Sequence, residues 1–337
     1  MKILSTQRQK VLYTTIFATL LMAGISAYSS ILSQQASIDG CKQHEMDVAV
    51  SIIQSSLQSE MNNAASKASV VAHLPSIIDA FRAGNREQIL ARLLPAFLIQ
   101  RDRYGVNEGQ FHTAPATSFL RIYTPEAGHG EDLSSFREMV VNTNKEHAPK
   151  KGIEVGRAGI SIRGVDLLKD ADGYIGSFEV GMSFMTVLDY LKKNTGFEGG
   201  AFVDNELVSR VATLLPPPDA ERIVAGLRNV EATDWNVLKT IVTPELLASV
   251  TGVKTVLKTV AGSDFGIVIT PLQDYKGVGI GAIVAVKKFD VFQKESSAAV
   301  VRAIAFALLQ VLVLAGIVLV MINIMFVRSA SVQESSK

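Results

Sequence analysis

The sequence predicts an α+β protein in which a long N-terminal stalk helix and two tandem modules with antiparallel sheets are flanked by two transmembrane helices. Three observations support this prediction. An uncharged apolar run lies near each end of the chain. A glycine-poor segment with helical spacing follows the first run. Beyond it, short β-rich runs bounded by Gly, Pro and Asp occur in two successive groups.

The two apolar runs are long enough to cross a membrane. Uncharged residues extend from Val11 to Leu32 and from Ala303 to Val327, and about 20 residues span the hydrocarbon core. A cleaved signal peptide is the alternative for the first run, because Lys2, Arg8 and Lys10 precede it. The run is longer than a typical signal core and lacks a clear small-x-small cleavage site, which favours an uncleaved anchor.

Charge and cysteine content restrict the location and the partners. The short basic N-terminus is expected in the cytoplasm, so the central domain is periplasmic or extracellular and the chain crosses the inner membrane twice. The formal net charge of +1 gives no basic excess, so no nucleic-acid partner is expected. Cys41 is the only cysteine, which excludes an internal disulfide and predicts a free thiol.

The segment after the first span is predicted to be one long helix. It contains no glycine except Gly40 and no proline before Pro75. Its apolar residues recur every three, four or seven positions and form one narrow stripe, made of Met46, Ala49, Ile53, Leu57, Ala64, Ala68 and Val71. This stripe can pair with a second copy of the chain or pack on the chain's own domain, and the sequence leaves both open.

Helices and strands follow one another in the first module. Two helices are predicted, at Ile77–Arg82 and Arg86–Ile99. β-rich runs come next, at Thr117–Tyr123, Gly159–Leu168 and Tyr174–Phe184. A helix from Ser134 to Lys145 interrupts them, with Ser134 as its expected cap.

The pattern recurs in the second module. A strand is predicted at Gly199–Asp204 and helices at Pro216–Leu227 and Pro244–Val250. Three strands follow, at Val253–Val260, Phe265–Pro271 and Gly277–Val286, and a turn at 273–277 joins the last two.

These elements predict the organisation of the whole chain. The predicted segments are a cytoplasmic N-terminus (1–10), a first transmembrane helix (11–33), the stalk (34–74), a membrane-distal module (75–190), a membrane-proximal module (191–288), a connecting helix (289–302), a second transmembrane helix (303–327) and a cytoplasmic tail (328–337). Two similar modules in tandem fit the length better than one irregular domain.

One stretch is far more specific than the rest. Its motifs are FHTAPATSFLRIY at 111–123, EDLSSFR at 131–137, GIEVGRAGISIRGV at 152–165 and YIGSFEVGMSF at 174–184. This stretch resembles the membrane-distal half of the double Cache sensor domains, of the third double Cache type, found in bacterial methyl-accepting chemotaxis proteins and sensor histidine kinases. The resemblance extends more loosely over the rest of the central domain.

The resemblance implies two PAS-like Cache modules and a sensory function. Family members often carry Pro-Val after Arg-Gly-Val, whereas this chain has Asp166-Leu167-Leu168, which leaves the end of that strand open. Receptors of this type continue after the second span into a large cytoplasmic output domain. Here only ten residues follow, from Arg328 to Lys337. We therefore expect any output to act in trans, through a cytoplasmic or membrane signalling partner.

Strand alternation indicates which side chains could line a pocket. Successive side chains of a strand point to opposite faces, which places Phe119, Arg121 and Tyr123 together on one face. Arg163 shares a face with Ser161, and Glu179 shares one with Ser177. Arg121, Arg163 and Glu179 can therefore converge from neighbouring strands. The alternative is that these charges form a structural ion-pair network or lie on the solvated side of the sheet.

Arginine and glutamate in one pocket predict the class of ligand. An arginine can bind a carboxylate through two parallel hydrogen bonds, and a carboxylate opposite it can hold an amine. A small organic acid or an amino acid is the expected ligand. The candidate ligand-binding residues are Arg121, Arg163, Glu179, Tyr123, His112, Phe119, Ser161, Ser177, Asp132 and Arg137, with Asp132 also a candidate cap of the following helix.

Catalytic chemistry has little support in the sequence. The five histidines show no metal-ligand spacing, and the glycine-rich segments lack the Lys-Ser/Thr of a phosphate loop. We expect no enzyme, no metal site and no cofactor. The leading hypothesis is a sensor, which we expect to be a homodimer formed through the stalk and membrane helices. The alternative is a non-signalling, membrane-tethered ligand-binding or scaffold protein, including a truncated relic of a receptor.

Overall fold

The structure is a computed structural model that describes residues 2–248 and 250–334. The chain divides into two compact units. One unit is Glu45–Lys288, and the other consists of the terminal segments on either side of it. Long helices and two antiparallel sheets make up the fold, which confirms the predicted class. Residue 249 of the predicted helix 244–250 and residues 335–337 of the predicted tail lie outside the described residues.

The terminal unit is helical. Helix α1 (Lys2–Ala72) begins in it, and helix α9 (Asp290–Glu334) belongs to it. Both helices contain stretches long and apolar enough to cross a membrane, within Leu12–Ala72 and Asp290–Met321. Phe17 is 69% exposed and Leu312 is 70% exposed. Large exposed apolar side chains in such a stretch are expected where lipid, not water, surrounds it.

The first module of the central unit is built on a five-stranded sheet with strand order β2-β1-β5-β4-β3, and every pairing in it is antiparallel. Helices pack on both faces of this sheet, so its central strands are buried on both sides. Its elements after α1 are α2 (Pro75–Arg82), α3 (Arg86–Tyr104), β1 (Val106–Thr113), β2 (Thr117–Arg121), α4 (Glu138–Glu146), β3 (Lys150–Gly156), β4 (Gly159–Asp170) and β5 (Gly173–Met182).

The second module is built on a six-stranded sheet with strand order β7-β8-β6-β11-β10-β9. Its core contains Phe202, Leu238 and Ile267, all fully buried. Its elements are α5 (Met185–Thr195), β6 (Glu198–Asp204), α6 (Asn205–Val211), a 3₁₀ turn (Ala220–Arg222), β7 (Ile223–Val224), β8 (Leu227–Ala232), α7 (Trp235–Ile241), α8 (Pro244–Leu247), β9 (Lys254–Val260), β10 (Ser263–Gln273) and β11 (Gly279–Lys288).

The apolar stripe of the stalk is buried in its own chain, and at Ala64 and Ala65 the helix lies against β4 of the first module. Ala49, Ile53, Ala64 and Ala68 are fully buried. At Gly164 of β4 an added Cβ would lie 2.2 Å from the backbone nitrogen of Ala65, so only glycine lets the helix approach this closely. Packing of the stripe on its own chain is therefore confirmed, and pairing with a second copy, which this packing does not exclude, stays a prediction.

Two predicted helices differ in the structure. Helix α4 begins at Glu138, four residues after the predicted start, and a turn precedes it. The segment predicted as a helix at Pro216–Leu227 instead contains the 3₁₀ turn and strand β7. Pro216, Pro217 and Pro218 lack the backbone N–H that a helix interior needs. Strand β4 continues to Asp170, which settles the strand end that the sequence left open.

Candidate functional site

Polar side chains from four strands of the first module meet on one face of its sheet. In the pairing of β1 with β5, Gln110 lies opposite Glu179 and His112 lies opposite Ser177. Directly paired residues of antiparallel strands point their side chains to the same face. Glu108 and Arg163 both lie opposite Gly181, one from each neighbouring strand. Because Gly181 has no side chain, these two charged groups can meet above it.

The charged side chains form a chain of alternating sign, which we call the charged cluster: Glu108, Arg163, Glu179, Arg137 and Glu154. Arg163 Nη1 donates to Glu179 Oε1 at 2.7 Å, and its Nη2 donates to both carboxylate oxygens of Glu108 at 2.9 and 3.1 Å. Arg137 Nε donates to Glu154 Oε2 at 2.7 Å, and its Nη2 donates to Glu179. Each arginine therefore links two carboxylates.

The charged cluster is deeply buried. Arg163 and Glu179 are 0% exposed and Arg137 is 2% exposed. Burial alone would raise the pKa of Glu179, but Arg137 and Arg163 hold it at about 2. For Glu154 burial dominates, and its pKa is raised although Arg137 opposes the shift. Buried ions of this kind are stable only while their partners remain, so loss of one partner is costly.

Helix α4 brings Arg137 to the sheet. Arg137 is the residue before the first turn of the helix, and its carbonyl accepts from Val141 N at 3.1 Å. Glu154 of β3 accepts from Met139 N at 2.9 Å as well as from Arg137. A carboxylate at a helix N-terminus satisfies a free backbone N–H. The sheet thus fixes the start of α4 through Glu154.

A second set of charges lies at the edge of the charged cluster. Glu131 pairs with Arg121 and with Arg157, whose Nε donates to Glu131 Oε1 at 2.8 Å. Arg157 also lies over the ring of Phe136, 4.1 Å from its centroid. These contacts fasten the segment between β2 and α4 over the sheet. We call this segment, residues 122–136, the cover loop.

Several polar atoms beside the charged cluster are buried without a hydrogen-bond partner among the described residues. They include both ring nitrogens of His112, Ser177 Oγ and Arg121 Nε. Burial lowers the pKa of His112 to about 3, although the charge of Glu179 opposes the shift. The ring is therefore neutral at physiological pH. A buried unpaired polar group costs about 1–3 kcal/mol, so such atoms usually face a bound molecule or water.

The structure brings most of the predicted site residues together. Arg163, Glu179 and Arg137 are in the charged cluster, and Ser161 Oγ donates to Glu108. Burial raises the pKa of Tyr123, which lies within electrostatic range of Glu108 and Arg121. Arg121 lies at the edge of the cluster and pairs with Glu131 rather than Glu179. His112 and Ser177 lie beside Glu179, as described above.

Two predicted site residues lie elsewhere. Phe119 packs on Phe81 of α2, with ring centroids 4.6 Å apart, and Arg86 also lies over its ring. The pairing of β1 with β2 shifts between Phe111 and His112, so Phe119 has no partner opposite it and the strict alternation fails there. Asp132 accepts from Ser134 N in an exposed turn and does not cap α4.

Sequence reasoning missed Glu108 and Glu154. Both lie on strands, β1 and β3, that were not predicted, although Glu154 falls inside one of the motifs. The balance of buried charges could have indicated them. Arg163 and Arg137 were both predicted in the site together with Glu179, and two buried arginines require more than one carboxylate. In the described part of the chain, no group of three or more His, Cys, Asp or Glu residues could hold a metal ion. Cys41 is exposed and free.

A family comparison agrees with this architecture. A profile described as the double sensory domain of two-component sensor kinases, the third double Cache type, matches residues 42–308. The match includes both sheets and most of the stalk. A comparison with curated proteins found no match.

Solved structures with a similar fold come from bacterial sensors. The extracellular domain of vpHK1S-Z8, described as a histidine kinase, has a TM-score of 0.47 and 12% identity, covering 78% of this chain and 96% of its own. The sensory domain of the Campylobacter jejuni chemoreceptor Tlp3, solved with isoleucine bound, has a TM-score of 0.43 and 10% identity. The alignment covers 80% of this chain and 98% of the Tlp3 domain. The periplasmic domain of Vibrio cholerae LuxQ has a TM-score of 0.39 and 8% identity. The alignment covers 75% of this chain and 99% of the LuxQ domain. At these scores the family assignment rests on the profile match.

Proposed function

Because the chain belongs to the double sensory domain family of two-component sensor kinases, we propose that it is a membrane-bound sensor of a small extracytoplasmic molecule. Candidate spans near both ends support an anchored chain. The basic N-terminus supports a cytoplasmic location for that end and an external one for residues 45–288. The membrane is then the inner membrane of a bacterium, with the sensory unit in the periplasm or outside the cell.

The ligand site is the charged cluster with its uncharged neighbours. The single observation that carries this assignment is the pair His112 and Ser177, both 0% exposed and with polar atoms that no described residue satisfies. They lie opposite each other on β1 and β5, beside Glu179. A neutral histidine offers one donor and one acceptor. A ligand that hydrogen-bonds here removes the cost of leaving these groups unpaired.

A zwitterionic amino acid fits the charges better than an organic acid. The paired charges comprise four arginines and four glutamates, which are Arg121, Arg137, Arg157, Arg163, Glu108, Glu131, Glu154 and Glu179. The set is therefore balanced before a ligand arrives. A ligand with no net charge keeps the balance, whereas an organic acid adds a buried negative charge without a counter-ion.

Binding proceeds by exchange of ion-pair partners. The ligand carboxylate replaces a glutamate on Arg163 or Arg137, and the released glutamate accepts the ligand's ammonium group. Every charged group keeps an oppositely charged partner during this exchange, and the net charge of the site does not change. The cover loop opens when Glu131 releases Arg121 or Arg157, which gives the ligand access to the sheet.

Signalling requires that the ligand bind one arrangement of the domain more tightly than another. Arg137 is at the start of α4, so exchange of its partner displaces that helix. Two copies of the chain associate through the membrane helices and transmit the change to a partner protein. Gln310, in the apolar part of α9, supports this association because an amide can hydrogen-bond across a pair of membrane helices.

A thermal-unfolding screen tests the proposal. The full-length chain in detergent is heated with each common amino acid, with matched amines and with matched organic acids. At least one amino acid should raise the unfolding temperature, since a ligand at 100 times its Kd adds about 2.7 kcal/mol. The corresponding amine and acid should not.

Two variants locate the effect. Ser177→Ala should reduce the shift, because the hydroxyl contributes to binding, and Asp132→Ala, in the exposed turn of the cover loop, should keep it. A screen in which no amino acid shifts the wild type overturns the proposal. That negative result would favour the alternative, a non-signalling tethered protein in which the charged cluster only stabilises the fold.

A further inference from the structure

The turn that joins β10 to β11 in the second module contacts the first module. We call residues 274–278 the docking turn. Tyr275 N donates to Ile153 O at 3.0 Å. Asn142 Nδ2 of α4 donates to Tyr275 Oη at 2.6 Å, and Lys276 forms an ion pair with Glu138 of α4. The turn thus binds the outer edge of β3 and one side of α4 at the same time.

The first module is shaped to receive this turn. Strand β3 is the last strand of its sheet, so the Ile153 carbonyl is open to a further partner. A Cβ added at Gly152 would lie 2.4 Å from Tyr275 Cβ, so only glycine leaves room for this side chain. Tyr275 also packs against a buried cluster that contains Met139 of α4. Backbone, side chain and shape all specify the contact.

Three of the residues that receive the docking turn adjoin a member of the charged cluster. Ile153 precedes Glu154, and Glu138 follows Arg137. Gly152 lies opposite Arg163 in the pairing of β3 with β4. Glu154 in turn binds both Arg137 and the backbone of Met139. The start of α4 and the edge strand β3 therefore supply two members of the charged cluster, Arg137 and Glu154, and also bind the docking turn.

We infer that the docking turn positions α4 and, through it, Arg137 in the charged cluster. Tyr275 and Lys276 are thus positioning residues supplied by the second module. Docking of the turn and the arrangement of the cluster are then coupled, and by reciprocity a change in either one shifts the other. The structural coupling holds without a ligand, whereas its use in sensing rests on the proposed function.

The surroundings allow the turn to move. A cavity of about 260 Å³ lies beside it, between α4, β3 and α6, and is lined partly by Glu138, Glu154 and Tyr275. The turn therefore has open space on its cavity side into which it can shift. Strand β11 begins beside the turn and ends at Lys288, two residues before α9. A shift of the docking turn therefore displaces the first residues of β11.

Hydrogen exchange of the full-length chain in lipid nanodiscs tests the coupling without a ligand. Arg137→Lys keeps the charge but loses the two-sided contact with Glu154 and Glu179. It should speed exchange of the peptide that contains Tyr275 by about fivefold or more. In the opposite direction, Tyr275→Phe should speed exchange of α4. Lys150→Ala, which removes the ion pair with Glu146 at the far end of α4, is the matched control and should leave the docking turn unchanged.

The outcome that overturns the inference is specific. If Arg137→Lys speeds exchange at the start of α4 while the Tyr275 peptide stays within about twofold of wild type, the two elements open independently. Peptides from β10 and β11 report whether each variant is folded. If Arg137→Lys fails that check, Glu154→Gln replaces it with the same expected result. Neither outcome depends on whether the ligand screen succeeds.

Discussion

At the residue scale, Glu179 organises the candidate site because two arginines donate to its two oxygens. Burial opposes its charge, but the arginines hold its pKa at about 2, below its usual 4.5. Since the folded-state pKa is lowered, the stabilisation by this carboxylate is complete above pH 4.5. It is lost as the pH falls from there toward 2.

His112 gives a pH dependence in a different window. Its pKa is lowered from 6.5 to about 3 by burial, and among the charges that act on it Glu179 raises the pKa while Arg137, Arg163 and Arg121 lower it. As the pH falls from 6.5 to 3, the unfolded chain binds a proton that the folded chain does not. We expect stability to fall by up to about 1.4 kcal/mol per pH unit over this range.

Urea unfolding of the full-length chain at several values between pH 5 and 6.5 measures this slope. In His112→Gln the free energy of unfolding should depend less steeply on pH, because the variant lacks the proton that the unfolded wild type binds at His112. Ser177→Ala, its direct neighbour, should retain the wild-type slope and is the control. An identical slope in wild type and His112→Gln would refute the assignment of a buried neutral histidine.

Strand alternation in the sequence was sufficient to place Arg163, Glu179 and Ser177 in one region. It was not sufficient for Glu108, because the segment Asn107-Glu108-Gly109-Gln110 contains no apolar alternation that marks a strand. Phe119 was assigned to the wrong face because a bulge changes the period locally, and nothing in the side-chain pattern reveals it. Pair partners of buried charges are set by the tertiary fold.

At the element scale, the packing of the stalk on the first sheet depends on small residues. Ala64 and Ala68 are fully buried, and Gly164 faces the helix backbone. The periodicity of α1 predicted which face is apolar, since spacing alone determines that face. It could not predict that the chain's own sheet would cover it. The start of α4 was also missed, because Glu154 of a distant strand, rather than a local cap, satisfies its first turn.

A methyl group at position 164 tests this packing. Gly164→Ala would place Cβ 2.2 Å from the Ala65 nitrogen, so the helix must move away from the sheet. We expect a loss of about 1–3 kcal/mol of stability, the usual cost of overpacking. Thermal unfolding of the full-length variant measures it.

Gly173→Ala would be a poor control for that substitution, because its backbone has φ of +121°. Gly279 is suitable, since nothing lies within 4 Å of an added Cβ there. Gly279→Ala should leave the unfolding temperature nearly unchanged. Equal losses in the two variants would mean that close approach of the stalk does not require glycine at 164.

At the scale of the whole molecule, sequence and structure agree on two apolar helices near the chain ends and on two sheet modules between them. These features are set by long uninterrupted patterns, which is why they could be predicted. The docking turn could not be predicted in this way. It joins residues more than 120 positions apart, such as Asn142 and Tyr275, and no local pattern records such a contact.

The central claim is that the charged cluster binds an amino acid. Equilibrium dialysis of the full-length chain in detergent against a mixture of radiolabelled amino acids tests it most directly, with Arg163→Gln as the comparison and its folding checked by thermal unfolding. We predict that the wild type retains at least one amino acid at about one molecule per chain and that folded Arg163→Gln retains none. Retention no greater in the wild type than in folded Arg163→Gln would contradict the claim.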